Sequence, residues 1–72
     1  MEEKIMLLNL GDRIREIRIK QGMSQVKLAF SIGKKQQSIQ RLEQGKTNPS
    51  YLYLKEVANG LKISLSELFK DL

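Results

Sequence analysis

The sequence contains no cysteine, no histidine and no tryptophan, and only one proline. Without cysteine there is no disulfide and no thiolate metal site. Without histidine the commonest metal ligand and general base are missing too. No glycine-rich phosphate loop and no converging set of carboxylates stands out either, so no enzyme, cofactor, metal site or small-molecule substrate is expected. Long apolar runs are equally absent. The longest, Ile5-Met6-Leu7-Leu8, has four residues, against the roughly 20 that a membrane-crossing helix needs. The amino end, MEEK, carries two acids, and no small-residue cleavage site follows the apolar run, which argues against a secretory signal. The expectation is a complete, soluble, cytoplasmic protein.

What is present is a chain of 72 residues, 40% hydrophobic and 29% charged. Such a composition is globular, and such a length allows one domain near the lower limit for a single core. Thirteen Lys and Arg against eight Asp and Glu give a net charge of +5, which suits a polyanionic partner. The excess is local: Lys34, Lys35, Arg41 and Lys46 cluster within 34–46, where Glu43 is the only acid.

Periodicity and punctuation predict five helices and no strands. Leu10, Ile14 and Ile17 recur at helical spacing, with Asn9 as N-cap and Gly22 just past the end, so the first helix is placed at about 10–21. Leu7 extends that stripe backwards, which leaves open an earlier start of the helix, and residues 1–9 are read as an extension preceding a domain over 10–72. Ser24 caps a second helix through Ser31, with Leu28, Ala29 and Ile32 inward and a stop at Gly33. A third helix spans about 36–44 and ends at Gly45. Thr47-Asn48-Pro49-Ser50 is a turn, because Pro49 biases Asn48 to an extended conformation. Ser50 or Pro49 starts a fourth helix that carries Leu54, Val57, Ala58 and Leu61 inward. Ser64-Leu65-Ser66-Glu67 has the form of a capping box and opens a short fifth helix, with Leu65, Leu68 and Phe69 as its apolar face. The fold class is a compact all-α domain.

The third helix, KKQQSIQRLEQG with its approach, is the informative stretch. Only Ile39 and Leu42 are apolar, two lysines stand at the positive end of the helix dipole, and no ordinary N-cap residue precedes it. Judged by stability alone it is poorly made. Its spacing from the second helix supplies a reason. Ala29 is small enough for two helices to cross closely, Gly33 four residues later suits a tight turn, and Ile39 and Leu42 pin the following helix to a core. Together these are the marks of a helix-turn-helix whose outward face is polar.

On these residues the sequence resembles the Cro/C1-type, or XRE-like, helix-turn-helix DNA-binding proteins from about Leu10 to Phe69. LGDRIREIRIKQGMSQVKLA, SIQRLEQGKTNPS and VANGLKISLSELF carry the resemblance, and QQSI followed by LE-Q-GKT is similar to the recognition helices of lambdoid phage repressors. The resemblance implies a five-helix, lambda-repressor-like domain whose third helix enters the DNA major groove. Gln36 and Gln37 stand at the front of that helix, the end that reaches base edges in this docking mode. A glutamine amide matches adenine N6 and N7, and an arginine such as Arg41 matches guanine O6 and N7. Gln40 and Arg41 complete the candidate base-reading set, the register leaving open which of the two points at DNA. Gln25 matches the family position that touches phosphate and buttresses the recognition helix. Lys35, Ser38, Lys46, Thr47 and Asn48 offer charge, hydroxyl or amide groups to phosphates. Arg18 and Glu43 match a pair that in the family ties the first helix to the third, a structural salt bridge.

Three positions depart from the family pattern. Lys34 stands where an apolar residue is usual and Lys35 where Ser or Thr caps the helix, a loss of about 1 kcal/mol. Gly60 replaces the usual alanine and is expected to loosen the fourth helix or end it early. The function expected is transcriptional regulation on double-stranded DNA, by a repressor occupying its operator. A single such helix reads few base pairs, so a homodimer is expected, with Tyr51, Tyr53, Leu65, Phe69, Leu72 or residues 5–8 in its interface. The same fold also serves as a protein-interaction adaptor, such as an antitoxin or coactivator-like module, and that reading stands beside the first.

Overall fold

The computed structural model describes residues 2–72 and consists of five helices: α1 (Glu2–Lys20), α2 (Gln25–Ser31), α3 (Gln36–Glu43), α4 (Tyr51–Gly60) and α5 (Leu65–Leu68). No strand occurs among the described residues. Ser24 and Ser64 cap where the sequence places them, and Ser50 is the N-cap of α4. Ser24 Oγ accepts from Lys27 N–H, Ser50 Oγ from Tyr53 N–H and Ser64 Oγ from Glu67 N–H, each satisfying an amide that the first helical turn leaves open. The box at Ser64 is half formed. Glu67 does not complete it and instead faces Arg13, whose Nη2 lies 3.4 Å from Glu67 Oε2.

Helix endings are equally local. Lys34 N–H reaches back to the Ala29 carbonyl at 2.9 Å, and Gly33 between them holds φ +69°, the left-handed region that glycine enters without a Cβ penalty. The same six-to-one closure ends α1, from Met23 to Arg18, and α3, from Lys46 to Arg41.

The structure adjusts three expectations. α1 takes the earlier start that Leu7 left open and begins at Glu2, so Asn9 lies inside it instead of capping it. Residues 2–9 hold no helix breaker, and Glu2 and Glu3 suit the positive end of the dipole. Phe69 does not join the apolar face of α5: it is the helix C-cap and 40% exposed, while Leu68 is fully buried and Leu65 partly so. A four-residue helix has room to turn only one large side chain fully inward. Finally, α4 ends at Gly60, with Leu61 as its C-cap, and the glycine has a packing role as well. A Cβ there would lie 2.7 Å from Ile32 Cγ2 and 2.9 Å from Leu28 Cδ1, so this glycine lets α4 approach α2.

The core draws Ile14 from α1, Leu28 from α2, Ile39 and Leu42 from α3, Val57 from α4, then Leu61 and Leu68, all nearly inaccessible. Each such side chain contributes about 1.5–3 kcal/mol through burial. Gly11 is the tightest point. A Cβ built on it would overlap the Glu43 carbonyl oxygen and come within 2.7 Å of the Leu42 carbonyl oxygen, so α1 touches the backbone of the α3 C-terminus. Gly11→Ala therefore loses about 3 kcal/mol or more, the upper end for overpacking. Gly60→Ala meets only side-chain ends and recovers up to about 1 kcal/mol of helix propensity, so it costs clearly less. Urea denaturation of the two variants checks the ranking, and equal losses would contradict it.

Candidate nucleic-acid interface

A helix turns about 100° per residue, and α3 divides accordingly. Ile39, Leu42 and Glu43 are buried on one side, while Gln37, Gln40 and Arg41 are exposed on the other. Gln36 and Ser38 sit half-buried at the two edges, Gln36 on the side of α2. Both Gln40 and Arg41 therefore face solvent. Arg41 Nη2 also leans on the Lys46 carbonyl at 3.3 Å, so its guanidinium lies over the loop after α3. Lys35 occupies the N-cap position with φ −87° and ψ 150°, and its side chain caps nothing.

What holds this polar helix is a buried ion pair. Arg18 Nε donates to Glu43 Oε2 at 2.6 Å, and Arg18 Nη2 donates to Glu43 Oε1 at 2.9 Å. The side chains are 9% and 2% exposed, so the pair is bidentate and almost dry. Arg18 Nη1 donates to the Met23 carbonyl at 2.8 Å, tying in the α1–α2 turn. Gln25 Nε2 adds a bond to Glu43 Oε1 at 3.0 Å, and Gln25 Oε1 accepts from Gln36 Nε2 at 2.7 Å. The hydrogen bond to Glu43 raises the Arg18 pKa; burial opposes that, and the charge of Glu43 adds to it. A raised arginine pKa keeps its stabilising contribution throughout neutral and moderately alkaline pH, losing it only beyond the ordinary arginine range. Gln25 thus sits between the pair and the front of α3, with Gln36 anchored at its far end.

The remaining candidates surround this face. Lys35, Lys46 and Asn48 are exposed, and Ser38 is half-buried at the helix edge. The Thr47 hydroxyl is enclosed without a hydrogen-bond partner, so it is not offered at the surface. Lys34 is engaged elsewhere, with Nζ 3.6 Å from Glu56 Oε1 and 5.5 Å from the centre of the Tyr53 ring. Burial, followed by the charge of Glu56, raises the Tyr53 phenol pKa. Sequence reasoning passed over Lys4. It lines a cleft of about 510 Å³ with Glu3, Leu7, Arg41, Gly45 and Lys46, where the first turns of α1 meet the end of α3. Locating α1 two turns earlier would have been the signal.

A sequence profile of the helix-turn-helix family matches residues 14–68, which span α2, α3 and the buried pair. The chain belongs to the Cro/C1-type helix-turn-helix family. That family is one of DNA-binding transcriptional regulators. An HTH-type transcriptional regulator of Archaeoglobus fulgidus is 40% identical over 57 residues, covering 79% of this chain and 81% of the relative. Among solved structures, the restriction-modification controller protein C.AhdI from Aeromonas hydrophila superposes with a TM-score of 0.91 at 33% identity, over 96% of this chain and 100% of that one. The clp gene regulator ClgR from C. glutamicum superposes at 0.81 with 24% identity, over 85% and 79% of the two chains, a likeness of fold.

The buried pair generates a stability prediction. Glu43→Ala strands the Arg18 guanidinium and the Gln25 amide, and should cost about 3–5 kcal/mol. Arg18→Met combined with Glu43→Leu removes both charges and should recover more than half of that loss. Urea unfolding of both variants measures the difference, and a Glu43→Ala loss under about 1 kcal/mol would mean the pair behaves as a surface salt bridge.

Proposed function

We propose that the protein is a cytoplasmic repressor that binds its operator as a homodimer and lays α3 of each copy in the major groove. The observation that carries this reading is the division of α3. One face is locked to α1 and α2 through Glu43, and the other is exposed, uncapped and made only of Gln37, Gln40 and Arg41. Gln36, Gln37, Gln40 and Arg41 read base edges. Gln25, Lys35, Ser38, Lys46 and Asn48 hold phosphates, and Thr47 joins them through its backbone, because its hydroxyl is enclosed. In this arrangement residues 10–72 are the DNA-binding unit and residues 1–9 precede it, of which residues 2–9 belong to α1. A phosphate close to the front of α3 reverses the electrostatic penalty on Lys35, while Lys34 is already paired with Glu56.

The dimer surface lies away from α3. Met6, Leu7, Leu10, Leu54, Phe69 and Leu72 line an apolar cleft of about 360 Å³, and Ile5, Tyr51 and Leu52 are exposed as well. Of the residues considered from sequence, Tyr53 and Leu65 pack on the core and are less available. Two copies joined there would present two α3 helices to half-sites roughly 34 Å apart. Met6→Lys with Phe69→Lys should leave a folded monomer by sedimentation and weaken operator binding. A doubly substituted chain that still sediments as a dimer would place the interface elsewhere.

Fluorescence polarisation against a selected operator and random duplex, at two salt concentrations, tests the DNA reading. Gln36→Ala and Arg41→Ala should weaken the operator by roughly 5- to 150-fold each, while changing random DNA far less. Lys46→Ala should weaken both and flatten the salt dependence by about one unit of slope. Equal losses on both duplexes for all three would remove the base-reading assignment. No specific binding at low salt would favour a protein-interaction adaptor on the same fold.

A further inference from the structure

We infer that Glu43, acting through Gln25, fixes which way round the Gln36 amide is presented, and so lets the protein tell an A·T pair from a T·A pair where Gln36 reads. The inference rests on the base-reading role proposed for α3. Glu43 is then a positioning residue as well as half of an ion pair.

The chain of reasoning is one of donors and acceptors. The two ends of a glutamine amide are alike in size and differ only in whether they donate or accept. The Glu43 carboxylate, ionised opposite Arg18, can only accept. Its oxygens already take Arg18 Nε at 2.6 Å and Arg18 Nη2 at 2.9 Å. The end of Gln25 that lies 3.0 Å from Glu43 Oε1 must therefore be its NH2 group. That turns Gln25 Oε1 the other way, where it accepts from Gln36 Nε2 at 2.7 Å. Gln36 consequently keeps its nitrogen toward α2 and has its carbonyl oxygen and one remaining N–H free.

Neither amide can reverse alone. A flipped Gln25 would set its oxygen against a carboxylate, and a flipped Gln36 would set two carbonyl oxygens together. Each flip breaks a hydrogen bond in a half-buried place and leaves repulsion behind. The direction imposed at the ion pair is thus relayed over two side chains to the front of α3.

The groove makes that direction informative. Adenine offers N7, an acceptor, beside N6, a donor, and on passing from A·T to T·A their order along the groove reverses. A glutamine free to turn over can follow that reversal by exchanging its ends. A glutamine held one way round cannot, and one of the two pairs is left facing mismatched groups.

The test uses the full chain and an operator selected from random duplexes. The relevant position is the one whose base preference Gln36→Ala abolishes. The unmodified protein should prefer one of A·T and T·A there by roughly 5- to 150-fold, the ratio that one good bidentate pair provides. The double variant Arg18→Met with Glu43→Gln keeps the net charge and leaves no lone charge in the core. In it the preference should fall to within about threefold, with random-duplex affinity changed less than about twofold because neither residue touches DNA. A folded double variant that keeps the full preference overturns the inference.

A second measurement does not depend on DNA or on the variant folding. In the 15N-labelled free protein, Gln25 and Gln36 should each show one slowly exchanging side-chain amide proton, and the Gln36 NH2 should show a nuclear Overhauser effect to Gln25. Freely exchanging, averaged amides on either residue overturn the relay even if Gln36 reads a base. Conversely, a Gln36→Ala variant that alters preference at no position removes the base-reading role, and the inference with it, even where the amide signature persists.

Discussion

A guanidinium and a carboxylate removed from water must be satisfied on every side or they cost several kcal/mol. That requirement organises this protein. Arg18 brings the end of α1, Glu43 the end of α3, Gln25 the start of α2, and the Met23 carbonyl the turn between α1 and α2. The carbonyl groups of Glu43 and Leu42 rest on Gly11, so the backbone around the acid is clamped as firmly as its side chain. Three helices of the domain therefore meet at one carboxylate, and α3 is held from behind by a polar device on top of Ile39 and Leu42.

This explains how a helix with weak intrinsic stability is kept in place. α3 has no side-chain cap, no acid in its first turn and two lysines approaching its positive end. Taken alone, those features subtract from stability, and tertiary anchoring offsets them. Freed from supplying its own stability, the outward face carries exposed glutamine and arginine that add nothing to the core. A further polar imperfection lies next to it: the enclosed Thr47 hydroxyl has no partner in the loop after α3. Departures from local consistency of this kind gather where a protein meets its ligand.

Much of the fold was legible because its punctuation is local. Ser24 and Ser64 cap as read, and Gly33 makes the turn expected of it, since caps and turns depend on a few neighbouring residues. The start of α1 was only half legible: Leu7 left an earlier beginning open, but Ile5, Met6 and Leu8 are exposed and Asn9 imitates a cap. Gly11 left a trace that is easily missed. Leu7, Gly11, Ile14 and Arg18 share one stripe, and a glycine where the stripe should be apolar marks a helix pressed against another backbone. The polar face of α3 could be read from composition and spacing, whereas the Arg18–Glu43 pair was reached only through family resemblance. The bonds from Glu43 to Gln25 and from Gln25 to Gln36 join residues 18 and 11 positions apart, and no sequence pattern specifies them.

The central claim is that the buried pair makes α3 one rigid unit with α1, so that its polar outward face is held in a single pose. Native-state hydrogen exchange across a denaturant series tests it most directly, by comparing the amides of residues 40–43 with those of residues 14–18. The account predicts that both groups open only with global unfolding, at the same free energy and with the same denaturant dependence. Amides of α3 that exchange through a denaturant-independent local opening, at a free energy lower by about 2 kcal/mol or more, would contradict it.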